Sequence, residues 1–212
     1  ENSLIKIFKD NLNPKSLGSI QNNLKKIEIL KLKQNKKEYQ SDGNLLNINK
    51  ILNETKNFGI IPFSILARHG FVAKDILISL EKLKVLTKKD TDNFMRSFST
   101  ITTEFLNDQV KLNKKSLSYQ FFIKKYGHLR AGTYDLKSKN YKQLGKKVLL
   151  NQSSKKIIHP ERFLISKIKK KKIESLLIKK KINLNFDELF LYIESSIKAR
   201  EYSKFIFTKS VN

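Results

Sequence analysis

Apolar positions along this chain recur at helical rather than alternating spacing. Leu24, Ile27 and Leu30 share a face over about Ile20 to Lys37 and predict a first helix. Asn44 to Asn57 predicts a short second one, with a polar surface loop over 38–44 between them. The pattern sharpens at Phe58-Gly59-Ile60-Ile61-Pro62-Phe63, which introduces a stretch from Ser64 to Leu86. There Phe71, Ile76, Leu77, Leu80 and Leu83 fall at helical spacing. Thr87 with Asp90 three residues later has the form of a helix-capping pair. Phe94, Phe98, Ile101 and Phe105 follow at i, i+4, i+7 and i+11, the face of one helix, and Ser116 to Lys125 predicts another that stops at Gly127.

Residues 127–159 carry Gly, Thr, Ser and Tyr and read as extended or irregular. Helical spacing returns from Pro160, placed in a first helical turn, to about Phe207. Asn185 precedes an apolar stripe of Phe186, Leu189, Phe190, Ile193 and Ile197, with Asp187 and Glu188 near the positive end of the helix dipole. No internal repeat and no useful strand pattern appears. The expected fold is mainly α, with an irregular glycine-containing segment around 127–159. Its parts are an uninformative helical stretch over 1–57, a helical core over 58–126, the irregular segment, and a C-terminal helical part over 160–212.

Composition narrows this picture. The 212 residues suit one domain or two small ones. A hydrophobic share of 39%, with 14 Phe and 7 Tyr, excludes a disordered polycation. The absence of Cys excludes disulfides, thiolate metal sites and a cysteine nucleophile. The longest apolar stretch, Phe58 to Ala67, contains Pro62, ends at Arg68 and is too short to cross a bilayer. With no signal peptide visible, the expectation is a cytoplasmic protein without a membrane partner. The chain begins at Glu1 rather than Met and reads as a fragment of something larger.

A net charge of +25 ordinarily points to nucleic acid. Here 39 of the 44 basic residues are Lys and 5 are Arg, the residue preferred for bidentate recognition of bases and phosphates. Lys, Asn and Ile are together abundant, as an AT-rich coding sequence supplies them. The densest runs, Lys169 to Lys172 and Lys179 to Lys181, lie on a helix-like pattern with Ile165, Ile168, Leu176 and Leu177 as its apolar stripe. They read first as a solvated helix face. A basic nucleic-acid-binding module remains the alternative reading.

Nucleotide-loop, zinc-protease and serine-hydrolase motifs are absent, and His69, His128 and His159 lack metal-ligand spacing. Three clusters could carry chemistry. Arg68 and His69 stand at the mouth of an apolar segment, where Arg68 either serves a site or caps carbonyls and pairs with an acid. Tyr126 to Asp135 sets His128 and Arg130 between two glycines, ahead of Thr133, Tyr134 and Asp135. Glycine lets backbone approach a ligand, Arg130 can grip a phosphate or carboxylate, and His128 can donate to an anion or move a proton near neutral pH. The rival is a buried polar turn with Asp135 paired to Arg130. In the third cluster Arg200 and Lys204 share a helix face and Lys209 follows, making either an anion cradle or an amphipathic helix end.

The three clusters stand in a recognisable order. Asn57-Phe58-Gly59 through Phe71-Val72-Ala73, then Tyr126-Gly127-His128-Leu129-Arg130-Ala131-Gly132-Thr133-Tyr134-Asp135, then Arg200-Glu201-Tyr202-Ser203-Lys204-Phe205-Ile206-Phe207-Thr208-Lys209, resemble the central region of PEP-utilising, PEP-synthase-like phosphotransferases. That family includes the glutamine kinase of capsule biosynthesis. Its blocks read close to YGTLPFAGLARAGFIA, YGHLRPGTYD and REYAKFVFTK, and the match covers about 45–212. This sequence departs at Ala131, where the family has Pro, and at His69, where a small residue is common. It also departs over Ser138 to Lys142, which is basic where the family is often acidic.

The resemblance implies an ATP-grasp-like domain upstream and a swivelling phosphohistidine domain downstream, in the same polypeptide. ATP and Mg would then be bound outside this segment, with no cofactor inside it, and a small molecule would accept the phosphoryl group. Within the segment it singles out His128, Arg130, Thr133, Tyr134, Asp135, Arg200, Lys204, Lys209 and Arg68 as substrate- or anion-binding candidates. No catalytic residue and no metal ligand is assigned. A third reading is a non-catalytic scaffold between two domains.

Overall fold

The computed structural model of the chain describes residues 17–35, 45–130, 137–146, 149 and 156–210. The described residues are mainly helical and hold no strand; their β-type pairing is one isolated antiparallel bridge, Arg130 with Asn140.

Helix α1 spans Leu17–Gln34 and α2 spans Leu45–Thr55. A π turn over Lys56–Ile60 joins α2 directly to α3, Ile61–Lys82, so one helical run crosses the boundary expected at 57/58. Pro62 explains the π turn. It has no N–H to give to the carbonyl four residues back, and the ladder shifts so that Ile61 N–H bonds the Lys56 carbonyl five back. Gly59 in this turn is buried. A Cβ there would stand 2.9 Å from Leu30 Cδ2 and 3.1 Å from Phe207 Cβ, so its absence lets α1 and the last helix close in.

Beyond α3 come α4 (Lys88–Arg96), α5 (Ile101–Asn113), α6 (Tyr119–Tyr126), the single turn α7 (Tyr141–Leu144), α8 (Lys167–Lys179) and α9 (Phe186–Ser210). The Thr87–Asp90 pair is a capping box at the start of α4. Asn185 and Glu188 exchange the same two bonds before α9, at 2.8 Å each.

Two expectations are corrected. The stripe from Phe94 to Phe105 belongs to two helices. Ser97 Oγ turns back to the Phe94 carbonyl, and Thr100 Oγ1 accepts from Thr103 N–H to start α5 afresh. Pro160 is not in a first helical turn. Residues 157–165 have no regular structure, and α8 starts only after Ser166, whose hydroxyl accepts from Lys169 N–H.

Helix α9 is the spine. It packs along α3 and α1, touches α8 near its start and reaches α5 near its end. Ile20, Ile27, Leu66, Ala73, Leu77, Ile193 and Ile206 lie in the main core. A knot of rings closes its α4 end: Phe94 lies 4.8 Å from Phe190 and 5.1 Å from Phe163, and Phe186 stacks on Phe190 at 4.2 Å. A second, smaller core gathers Leu112, Phe122, Tyr126 and Leu149 between α5 and α6. Phe205 of α9 packs against both cores and couples them.

Candidate functional site

The second core positions the His128 segment. Helix α6 starts at Ser118, whose hydroxyl accepts from Phe121 N–H, and ends at Gly127. A Cβ on Gly127 would stand 2.4 Å from the Ile123 carbonyl oxygen, so only glycine lets the chain turn there. The stretch from Gly127 to Arg130 lies beside that from Ser138 to Lys142. Lys142 N–H bonds the Gly127 carbonyl at 3.1 Å, Tyr141 N–H bonds the Leu129 carbonyl at 2.9 Å, and Arg130 Nε–H donates to the Ser138 carbonyl at 2.8 Å. Asn140 caps α7 with a capping box of its own, shared with Gln143, and the Tyr141 ring stacks on Phe105 at 5.3 Å. Residues 127–130 and 138–142 therefore form a tied neck. Thr133, Tyr134 and Asp135 lie outside the described residues.

His128 fastens this neck to α9. Its Nε2 lies 3.0 Å from the Phe205 carbonyl oxygen and its ring 5.0 Å from the Phe205 ring. A carbonyl only accepts, so Nε2 carries the hydrogen and Nδ1 keeps a lone pair. Burial pushes the His128 pKa down to about 4, and the positive Lys209 pushes the same way; the bond to the Phe205 carbonyl acts against both. The imidazole is neutral at pH 7. The expectation of an imidazole titrating near neutral pH is corrected on that ground: desolvation outweighs the one bond that would favour its cation.

A buried polar network supports the neck from beneath. Tyr126 Oη donates to Asp108 Oδ2 at 2.8 Å, and Lys125 Nζ and Lys111 Nζ reach the same carboxylate at 3.0 and 3.2 Å. Burial alone would raise the Asp108 pKa, but the bonds from Lys125, Tyr126 and Lys111 outweigh it and hold the carboxyl below its ordinary value. Sequence reading missed Asp108. The signal was present as an acid on the inward side of α5, two residues before the buried Val110.

The third cluster is pinned from several sides. Glu201 Oε2 accepts from Thr102 N–H at the start of α5, and Tyr202 bonds Lys31 and Glu28 of α1. The Ile206 carbonyl accepts from Gln34 Nε2 at 2.8 Å. Arg200 stands on the α3 side. Its guanidinium lies 4.9 Å over the Phe71 ring, and its stem fills the notch at Gly70, where a Cβ would stand 2.6 Å from Arg200 Cδ. Arg68 is exposed on α3. His69 is a structural histidine, with Nδ1 3.0 Å from Tyr192 Oη and Nε2 3.3 Å from Ser19 Oγ.

The candidates thus fall into two groups. His128 and Lys209 come close where the neck meets the last turns of α9, Lys204 lies one residue before Phe205 in that stretch, and Arg130 lies on the neck with its Nε–H on the Ser138 carbonyl. Arg200 and Arg68 sit nearer the α3 crossing. Nine residues of helix separate Arg200 from Lys209, about 14 Å along the axis.

Among the described residues no three histidine or carboxylate side chains gather to hold a metal ion, and no helix is long and apolar enough to cross a membrane. Comparisons with protein-family profiles, curated proteins and solved structures find no match.

Proposed function

We propose that this chain is the central helical segment of an ATP-dependent phosphotransferase of the PEP-synthase-like or glutamine-kinase-like kind. Its work is to position the phosphoryl acceptor or the swivelling phosphohistidine domain. One observation carries the reading. The block around His128 and the block around Phe205, 77 residues apart, meet through the bond from His128 to the Phe205 carbonyl, which sets His128 close to Lys209 and leaves Arg130 on the same neck. Arg130 on the neck, Lys204 and Lys209 on the adjoining end of α9 and the half-buried neutral imidazole between these elements suit a phosphoryl or carboxylate group, because charge that develops near fixed donors is stabilised. The neutral His128 would serve as an acceptor at Nδ1 or as a tether, and the positive charge would come from Arg130 and the lysines. ATP and Mg would be held by other domains of the same polypeptide.

The test uses the full-length gene product, with ATP conversion to AMP followed in the presence of candidate acceptors. Arg130→Ala should lower turnover by roughly 100-fold or more while melting like the parent. Unchanged turnover would remove Arg130 from the mechanism.

A nucleic-acid-binding module is the second reading, favoured by the exposed lysines of α8. It requires affinity that falls steeply with salt. A purely structural linker is the third. It requires that substitutions in the neck cost stability and nothing else.

A further inference from the structure

The lysine-rich helix α8 does more than face solvent. Its buried residues are Ile173 and Leu177, whereas Ile168, expected in its apolar stripe, is 69% exposed. Leu83, which follows α3, is 60% exposed. An apolar hollow of about 410 Å³ between α3 and α8 and one of about 540 Å³ between α8 and the turn after α3 share Leu83 and Leu176 as lining, so they join into one trough. The first is floored by Leu80, Ile173, Leu177 and Leu189; the second runs under Ile168. Each lies in the size range that takes ligands or anchoring side chains.

The rim is strongly one-signed. Lys171, Lys172 and Lys179 line the second hollow and Lys180 the first, and Asp75 is the sole carboxylate among the lining residues. Their neighbours are neutralised within the fold: Lys169 is paired to Asp90 at 2.5 Å and Lys170 to Asp187 at 2.8 Å. Lys171, Lys172, Lys179 and Lys180 form no ion pair among the described residues. An exposed apolar trough edged by uncompensated cations has a complement of definite chemistry: apolar side chains along one stripe with carboxylates beside them.

We propose that this trough docks an acidic amphipathic helix of a protein partner. A trough between two helices takes a third helix through anchors at i, i+3, i+4 and i+7, and the lysines on its rim select carboxylates flanking that stripe. Nucleic acid fits less well. No aromatic ring lines either hollow to stack a base, and an apolar floor offers a phosphate backbone nothing. The trough is remote from the His128 neck. Leu189 and Lys209 are twenty residues apart on α9, about 30 Å along the helix, so docking here and anion binding there are separable.

The 212-residue chain would be titrated against a fluorescein-labelled probe helix of about 18 residues, with Leu at the anchor positions and Glu on the flanks. Anisotropy reads the binding. The control is a peptide of the same composition with its leucines scattered. The ordered probe should bind about tenfold or more tighter than the control. The double variant Leu83→Glu with Ile168→Glu should abolish that advantage, as should the triple variant Lys171→Glu, Lys172→Glu and Lys179→Glu. All these positions are exposed, so circular dichroism should show both variants folded. Equal binding of the two peptides, or retention by both variants, overturns the proposal. So does tighter binding of phosphatidylglycerol vesicles or of a single-stranded RNA of roughly 20 nucleotides, if the same substitutions remove it. Arg130→Ala should leave probe binding unchanged, which separates this proposal from the phosphotransferase reading.

Discussion

Two histidines sit in two parts of this molecule and have opposite futures. His69 lies inside the α1–α3–α9 packing with a hydroxyl on each ring nitrogen, Tyr192 Oη and Ser19 Oγ. Burial lowers its pKa, and burial also pushes the Tyr192 hydroxyl up to about 12, so both stay neutral and bonded to each other. His128 also loses its charge to burial, yet among the described residues its hydrogen-bond contact is the Phe205 carbonyl alone, and Lys209 stands close enough to act on it. The first ring has both nitrogens satisfied inside the fold and can only hold the structure together. The second has, among the described residues, a partner at Nε2 alone, and it sits on the neck that also carries Arg130. Loss of charge to burial in both rings therefore does not give them the same role; what each ring has left to offer decides it.

The largest effect on His128 should come from removing the support beneath it. Tyr126 is fully buried in the second core, and its hydroxyl satisfies Asp108. Tyr126→Ala should cost about 4–5 kcal/mol, adding a cavity to a carboxylate with one donor fewer. Tyr126→Phe should cost about 1–2 kcal/mol, since only the hydrogen bond goes. Urea unfolding followed by circular dichroism measures both. Because Phe205 ties the two cores, the Ala variant should also loosen the end of α9, seen as faster amide exchange near Phe205 than near Tyr192.

A smaller effect comes from pH. The His128 pKa falls from an unfolded value of 6.5 to about 4 in the fold, so the unfolded chain takes up a proton first as pH drops. The stability contributed by the neutral ring is complete above 6.5 and is lost as pH falls through the window from 6.5 to 4. At 1.36 kcal/mol per unit this is about 3 kcal/mol at most. His128→Gln should flatten that part of the stability–pH curve. The slope left behind belongs to His69, whose pKa is lowered in the same direction. The paired Asp90, held at about 2, adds its own loss only below the ordinary carboxylate range. A curve for His128→Gln that matches the parent would show that His128 titrates normally.

Much of the helical architecture was legible in the chain, and the errors have physical causes. The Thr87–Asp90 box and the Asn185 stripe were readable because both are local: a side chain bonding a backbone three residues away, and a run of large residues at one spacing. Helix ends were harder. Lys84, Lys115 and Lys181 adopt positive φ just past α3, α5 and α8, where glycine ordinarily signals a stop, so the expected end at Leu86 ran past the real one at Lys82. The break after Arg96 is made by Ser97 and Thr100 against a hydrophobic spacing that fits one helix equally well. The π turn depends on Pro62 inside a helix, where sequence rules place an end. At the site, the pairing of His128 with the Phe205 carbonyl is invisible in sequence, because a backbone oxygen on a distant helix has no residue signature.

The most direct test is the state of the His128 ring itself. Two-dimensional proton–nitrogen NMR of the histidine side chains, assigned with His69→Gln and His159→Gln variants, reads tautomer and titration together. The expected result is a neutral ring at pH 7 with the hydrogen on Nε2 and a midpoint near 4. A hydrogen on Nδ1, or a midpoint at the ordinary 6.5, would mean that His128 does not fasten the neck to α9, and the site as described would not exist.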